Sequence, residues 1–170
     1  MGRGDFLTGG ADNLNKGGRG DIAMYRIMVV DDEDYILKAL NRVLATRPDW
    51  EVETYTDAAT ALRRARTTVF DAVITDYRMP DMDGIEMLQE LRAMQPDTIR
   101  ILLTGVIDID TLMSAINQAG AFRFVPKPWD DEQLLQSVEE GLKFRDILVE
   151  NRILAQTVRD QREALKSMGY

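Results

Sequence analysis

From Tyr25 onward, short apolar runs alternate with stretches of helical spacing. Ile27-Met28-Val29-Val30 predicts a buried strand ending at Asp31. Ile36, Leu37, Leu40, Val43 and Leu44 then fall on one helix face, and that helix must stop before Pro48. Glu51 to Thr56 alternates as a second strand, with a helix through Ala58–Ala65 behind it. Ala72-Val73-Ile74-Thr75 predicts a third strand, ending at Asp76. A turn-rich loop, Met79-Pro80-Asp81-Met82-Asp83-Gly84, leads into a helix carrying Ile85, Leu88 and Leu91. Ile99–Leu103 predicts a fourth strand ending at Thr104, and Leu112, Ile116 and Ala119 mark the next helix. Phe122–Val125 is the fifth strand, followed by Lys127-Pro128.

Five strand–helix units in succession predict an α/β fold, a parallel sheet with helices on both faces. The expected architecture is a doubly wound five-stranded sheet in the order 2-1-3-4-5. The last helix begins near Asp130 and its pattern runs to about Lys166 without a proline. Leu134, Leu135, Val138 and Leu142 should pack on the sheet. Beyond them a heptad seam emerges, with Phe144, Asn151, Val158 and Leu165 at a positions and Ile147, Leu154, Gln161 and Met168 at d. Asparagine at an a position favours a parallel two-stranded register, so the extension predicts a parallel homodimer. The chain thus divides into a Gly-rich tail over 1–24, a domain over 25–143 and a helical extension over 144–170.

Composition narrows the chemistry. The 170 residues include no cysteine and no histidine. Thiolate and histidine nucleophile pairs are therefore excluded, as are Cys- and His-ligated metal sites. The net charge of −8 is uneven: 0 over residues 1–24, −10 over 25–140 and +2 over 141–170. An acidic body lacks the Lys and Arg that neutralise nucleic-acid phosphates, so direct nucleic-acid binding is not expected. No apolar run approaches the ~20 residues that span a bilayer, and no secretory h-region is present. A cytoplasmic protein without membrane attachment is expected. The tail carries Arg-Gly-Asp twice, read here as coincidence in a Gly-rich stretch, and Met24 could be the true start.

In a doubly wound sheet, functional groups collect at the carboxyl ends of the strands, beside the point where strand order reverses. Those ends offer Asp31 and Asp32, then Asp76, Thr104 and Lys127. A single strand-end aspartate is usually a turn residue or a helix cap. Three carboxylates, a hydroxyl and an ammonium at matched ends are not explained that way. Carboxylates crowded together repel, and a divalent cation relieves them. Magnesium suits such a site, taking one or two carboxylates and engaging phosphate oxygens.

Several motifs together resemble the receiver domains of two-component response regulators, over about residues 25–143. They are Val29-Val30-Asp31-Asp32-Glu33, Ile74-Thr75-Asp76-Tyr77-Arg78-Met79-Pro80 with Met82-Asp83-Gly84, Leu103-Thr104-Gly105, and Lys127-Pro128. The separations suit the family too: 45 residues from Asp31 to Asp76, 28 to Thr104 and 23 to Lys127. The resemblance implies a flavodoxin-like fold. It implies that Asp76 accepts a phosphoryl group from a histidine kinase or phosphotransfer protein. It also implies that Asp31, Asp32, Asp76 and the backbone carbonyl of Arg78 bind Mg2+. Lys127, before a cis bond to Pro128, would contact the phosphoryl oxygens, and Thr104 would turn its hydroxyl onto them. Phe124 would be the aromatic switch, and Gly105 would leave the site open. Arg78 and Val106 stand where side chains influence the attacking water. The stretches Ile116–Gly120, Phe122-Arg123-Phe124 and Lys127–Asp131 resemble receivers joined to hydrogenase regulators or HD-type phosphodiesterases.

Two other classes share the fold. A Mg-dependent phosphohydrolase with an Asp nucleophile needs its DxD directly after strand 1, whereas the central aspartate here follows strand 3. An FMN binder needs a Ser/Thr/Gly phosphate loop after strand 1, where this chain has four consecutive acids. The expected role is a phosphoacceptor switch rather than an enzyme with an external product.

Overall fold

The computed structural model describes residues 24–105 and 109–169. The Gly-rich segment before Met24, and Val106, lie outside the described residues. The strands are β1 (Tyr25–Val30), β2 (Trp50–Tyr55), β3 (Ala72–Asp76), β4 (Ile99–Thr104) and β5 (Arg123–Pro126). The helices are α1 (Asp34–Leu44), α2 (Ala58–Ala65), α3 (Gly84–Met94), α4 (Ile109–Ser114) and α5 (Asp131–Ser167). All strands are parallel, in the order β2-β1-β3-β4-β5. The expected topology is the one observed.

Ile27–Val30 of β1 and Ala72–Ile74 of β3 are apolar on both sides because helices cover both faces. On one face Ile27, Val29, Ile74, Ile101 and Leu103 meet Leu37, Leu40 and Leu44 of α1 and Leu134, Val138 and Leu142 of α5. On the other, Met28, Val30, Val73 and Leu102 meet Ala61 and Leu62 of α2, and Met87, Leu88 and Leu91 of α3. Helix starts follow the sequence. Asp57 accepts the Thr60 N–H at 2.7 Å, and Asp130 accepts the Gln133 N–H at 2.9 Å. Asp83 and Glu86 close a reciprocal capping box at the head of α3.

The fourth helix departs from simple periodicity. After α4, a π-helical turn runs over Ala115–Ala119 and ends at Gly120, whose φ of 60° is left-handed. The wider turn directs Ala115 and Ala119 into the core and leaves Ile116 45% exposed. Arg92 and Arg100 donate to the Gln118 and Gly120 carbonyls that the turn leaves free.

Helix α5 has 37 residues, about 55 Å at ~1.5 Å per residue. Gly141 lets it approach β4, since a Cβ there would stand 2.6 Å from Ile99 Cγ2. Phe144 stacks on Phe122 with centroids 5.6 Å apart. From Asn151 to Gly169 every residue is exposed. No helix among the described residues is long and apolar enough to cross a membrane.

Candidate functional site

Strand order reverses at β1, which lies between β2 and β3. The carboxyl ends of β1 and β3 therefore sit side by side, bringing Asp31 next to Asp76. One carboxylate oxygen from each of Asp31, Asp32 and Asp76 lies within 4.8 Å of the others. Asp31 is fully buried, Asp76 nearly so, and Asp32 is exposed. Asp31 Oδ1 accepts the Glu33 N–H at 2.9 Å, which fixes the carboxyl as the chain turns into α1.

β5 brings the cation. Its partner β4 holds the exit from β5 through Lys127 N–H donating to the Thr104 carbonyl at 2.7 Å. The Lys127 Nζ then stands 2.7 Å from Asp31 Oδ2 and 3.0 Å from Asp76 Oδ1. Burial alone would lower the Lys127 pKa, but the hydrogen bonds and charges of the two carboxylates outweigh it and hold the ammonium protonated. Burial pushes the Asp76 carboxyl above its ordinary range, opposed by Lys127 and reinforced by the charge of Asp31.

The remaining expected residues surround this cluster. Thr104 is buried, and Gly105 is exposed with open space where a Cβ would point. Arg78 lines the cleft and is itself exposed. The Lys127–Pro128 bond is cis. Phe124 is partly buried and pairs in register with Leu102, two residues before Thr104. Asp76, Arg78, Gly105 and Lys127 line one cleft of about 320 Å³.

Four further residues shape the site. Glu33 and Tyr77 complete the cleft wall. Gly84 lets the head of α3 approach the Asp76 backbone, because a Cβ there would lie 2.1 Å from the Asp76 carbonyl oxygen. Its N–H donates to the Tyr77 carbonyl at 2.8 Å, closing the loop that contains Arg78. The fully buried Thr75 donates to the Asp76 carbonyl at 3.1 Å. The Asp83-Gly84 pair was visible in the sequence as a turn. Its contact with Asp76 was not, because that contact joins separate elements.

Chemically, the cleft joins an oxygen-only anionic donor set to a fixed ammonium at its edge. Such a set suits a hard divalent cation and the oxygens of a phosphoryl group.

Comparison with known proteins points the same way. The family model for the response regulator receiver domain matches residues 27–139. The hydrogenase transcriptional regulatory protein HoxA of Bradyrhizobium diazoefficiens is 33% identical over 118 residues, 69% of this chain and 24% of that protein. The regulatory protein AtoC of Escherichia coli is 35% identical over 136 residues, 80% of this chain and 29% of that protein. The chain thus spans about a quarter of the length of these relatives. Among solved structures, the signal receiver domain of an HD domain-containing protein from Pseudomonas fluorescens superposes with a TM-score of 0.69 at 32% identity. That match covers 72% of this chain and 98% of the other.

Proposed function

Because the chain belongs to the response regulator receiver family, we propose that residues 25–143 accept a phosphoryl group on Asp76 from a histidine kinase or phosphotransfer protein in the cytoplasm. An Asp76 carboxylate oxygen attacks the phosphorus of the donor's phosphohistidine. The P–N bond breaks, a P–O bond forms, and the departing imidazole takes up a proton. The observation that carries this reading is the convergence of Asp31, Asp32, Asp76 and Lys127 at the switch point.

Asp31, Asp32, Asp76 and the Arg78 carbonyl would hold Mg2+, which supplies positive charge against the transferred group. Lys127 supplies a second positive charge, already anchored on Asp31 and Asp76. Thr104 turns its hydroxyl to the new phosphoryl oxygens, and Phe124 follows into the space vacated. Gly105 keeps the entrance open. A carboxylate is a weak nucleophile, so positioning and charge account for the rate, while the donor's P–N bond supplies the driving force.

The extension over 144–170 is proposed to pair two copies in parallel along Phe144, Ile147, Asn151, Leu154, Val158 and Leu165. The apolar members are 45–56% exposed. The output then acts through the paired helices.

Incubation with acetyl phosphate and Mg2+ should add one phosphate by intact mass. Asp76→Asn should add none, a loss of at least ~100-fold in rate. Equal stoichiometry in the variant overturns the assignment.

A further inference from the structure

Leu142 is the last fully enclosed apolar side chain of α5, yet the helix stays in contact with the body for ten more residues. Beside the Phe144–Phe122 stack, three polar contacts do this, each to the amino end of a different strand. Tyr25, which opens β1, donates to Asp146 Oδ2 at 2.5 Å. Arg145 Nη1 lies 2.9 Å from Asp71 Oδ1, just ahead of β3, and both side chains are mostly buried. Arg152 donates to both carboxylate oxygens of Asp97, in the turn before β4.

These contacts fix the rotation of the helix. At about 100° per residue, Leu134, Val138, Leu142, Arg145, Val149 and Arg152 form one stripe facing the body. Burial agrees, since Arg145 and Val149 are the only positions after Leu142 that are not exposed among the described residues. Ile147, Asn151, Leu154, Val158 and Leu165 fall on the opposite side. Apart from Phe144, which stacks on Phe122 of its own body, the body-facing and apolar stripes therefore do not compete.

We propose that Arg145, Asp146 and Arg152 form a rotational clamp, seated on Asp71, Tyr25 and Asp97, that turns the apolar stripe outward to a second copy while each α5 remains docked on its own domain. This rests on the paired-helix reading above. It adds that pairing is constitutive and that the two bodies are held at a set orientation rather than released from the helix. The second copy is the occupant because Asn151, besides Gln161 at a d position, interrupts the apolar stripe at one level. An identical helix in register offers it an amide at that same level, which an arbitrary apolar groove does not. The charges flanking the stripe, Lys143, Glu150 and Arg162, are of mixed sign, so two parallel copies place no run of like charge together.

The chain has no native cysteine, so Glu90→Cys on the exposed face of α3 takes a single nitroxide label. Spin-label distances between the two bodies and sedentimentation-derived dimer affinity are measured on the full chain, with Arg152→Ala and Asp97→Ala as separate variants. The unaltered clamp should give a dimer at tens of micromolar with a narrow distance distribution. Both variants should broaden the distribution, keep the dimer affinity within about threefold and gain phosphate as before. An unchanged distribution overturns the clamp. A dimer about tenfold tighter or more in the variants also overturns it, since docking would then have been masking the stripe. A monomeric full chain removes the pairing on which the clamp depends. None of these results depends on phosphorylation of Asp76, so failure of the phosphoacceptor reading is seen separately by mass.

Discussion

The two ends of the sheet use the same residue types to opposite effect. At the amino end each acid has its own partner: Asp71 with Arg145, Asp97 with Arg152, and Asp146 with Tyr25. At the carboxyl end three carboxylates crowd within 4.8 Å, and one ammonium reaches two of them. The first arrangement pairs its charges, leaving only the buried Arg145 Nε without a hydrogen-bond partner among the described residues, and holds a helix. The second carries surplus negative charge and is poised to gain stability from any cation or phosphoryl ligand that neutralises it. The proposed function sits where the charges are left unbalanced.

The largest effect should come from breaking what the amino end presents. Leu154→Asp puts a charge in the outward stripe without touching the body, and should weaken dimerisation by ~100-fold or more. Sedimentation of the full chain reads it. A wild-type affinity in this variant would mean the stripe pairs with nothing.

Neutralising one acid at each end should then move stability in opposite directions. Asp71→Asn leaves the mostly buried Arg145 with only the more distant Asp146 carboxylate, at 4.0 Å, and should lower unfolding free energy by about 1–3 kcal/mol. Asp76→Asn removes a carboxylate whose ionisation burial already opposes. Without divalent cation it should raise stability by about 0.5–2 kcal/mol, because it relieves the repulsion from Asp31. Urea unfolding at neutral pH measures both. Two losses of similar size would erase the distinction between the ends.

The smallest effect concerns Tyr25. Its hydrogen bond to Asp146 raises the phenol from 10.0 to about 12, with burial adding to the shift. A raised folded pKa means the contribution is complete below pH 10 and is lost as pH climbs through 12. Tyr25→Phe should be slightly less stable at neutral pH, and the difference from wild type should vanish between pH 10 and 12. A difference that persists at pH 12 would show that the hydroxyl contributes nothing through Asp146.

Much of this was legible along the chain. Apolar runs such as Ile27–Val30, too short for a helix and rich in β-branched residues, read as strands buried on both faces, and they alternate with helical stripes, so the parallel sheet follows from local pattern. The strand ends follow from where those runs stop, which brings Asp31, Asp76, Thr104 and Lys127 to one edge. The length of α5 was readable for the same reason, since neither proline nor glycine C-cap interrupts it before Ser167.

Other features depend on distance across the fold. Gly84 reads as an ordinary turn glycine until α3 is laid against Asp76, where its missing Cβ becomes a requirement. The π-helical turn at Ala115–Ala119 reverses what periodicity says of Ile116, because it is Ala115 and Ala119 that it turns into the core. The partners of Arg145 and Arg152 are 74 and 55 residues away in sequence. Charge pairing over such separations carries no periodic signal, and a heptad pattern does not say which way a helix faces. The sequence by itself determined the fold, the strand-end chemistry and the existence of an apolar stripe on the last helix. Only the tertiary structure decided that this stripe points away from the body, because rotation is set by contacts to three strands that the helix never adjoins in sequence.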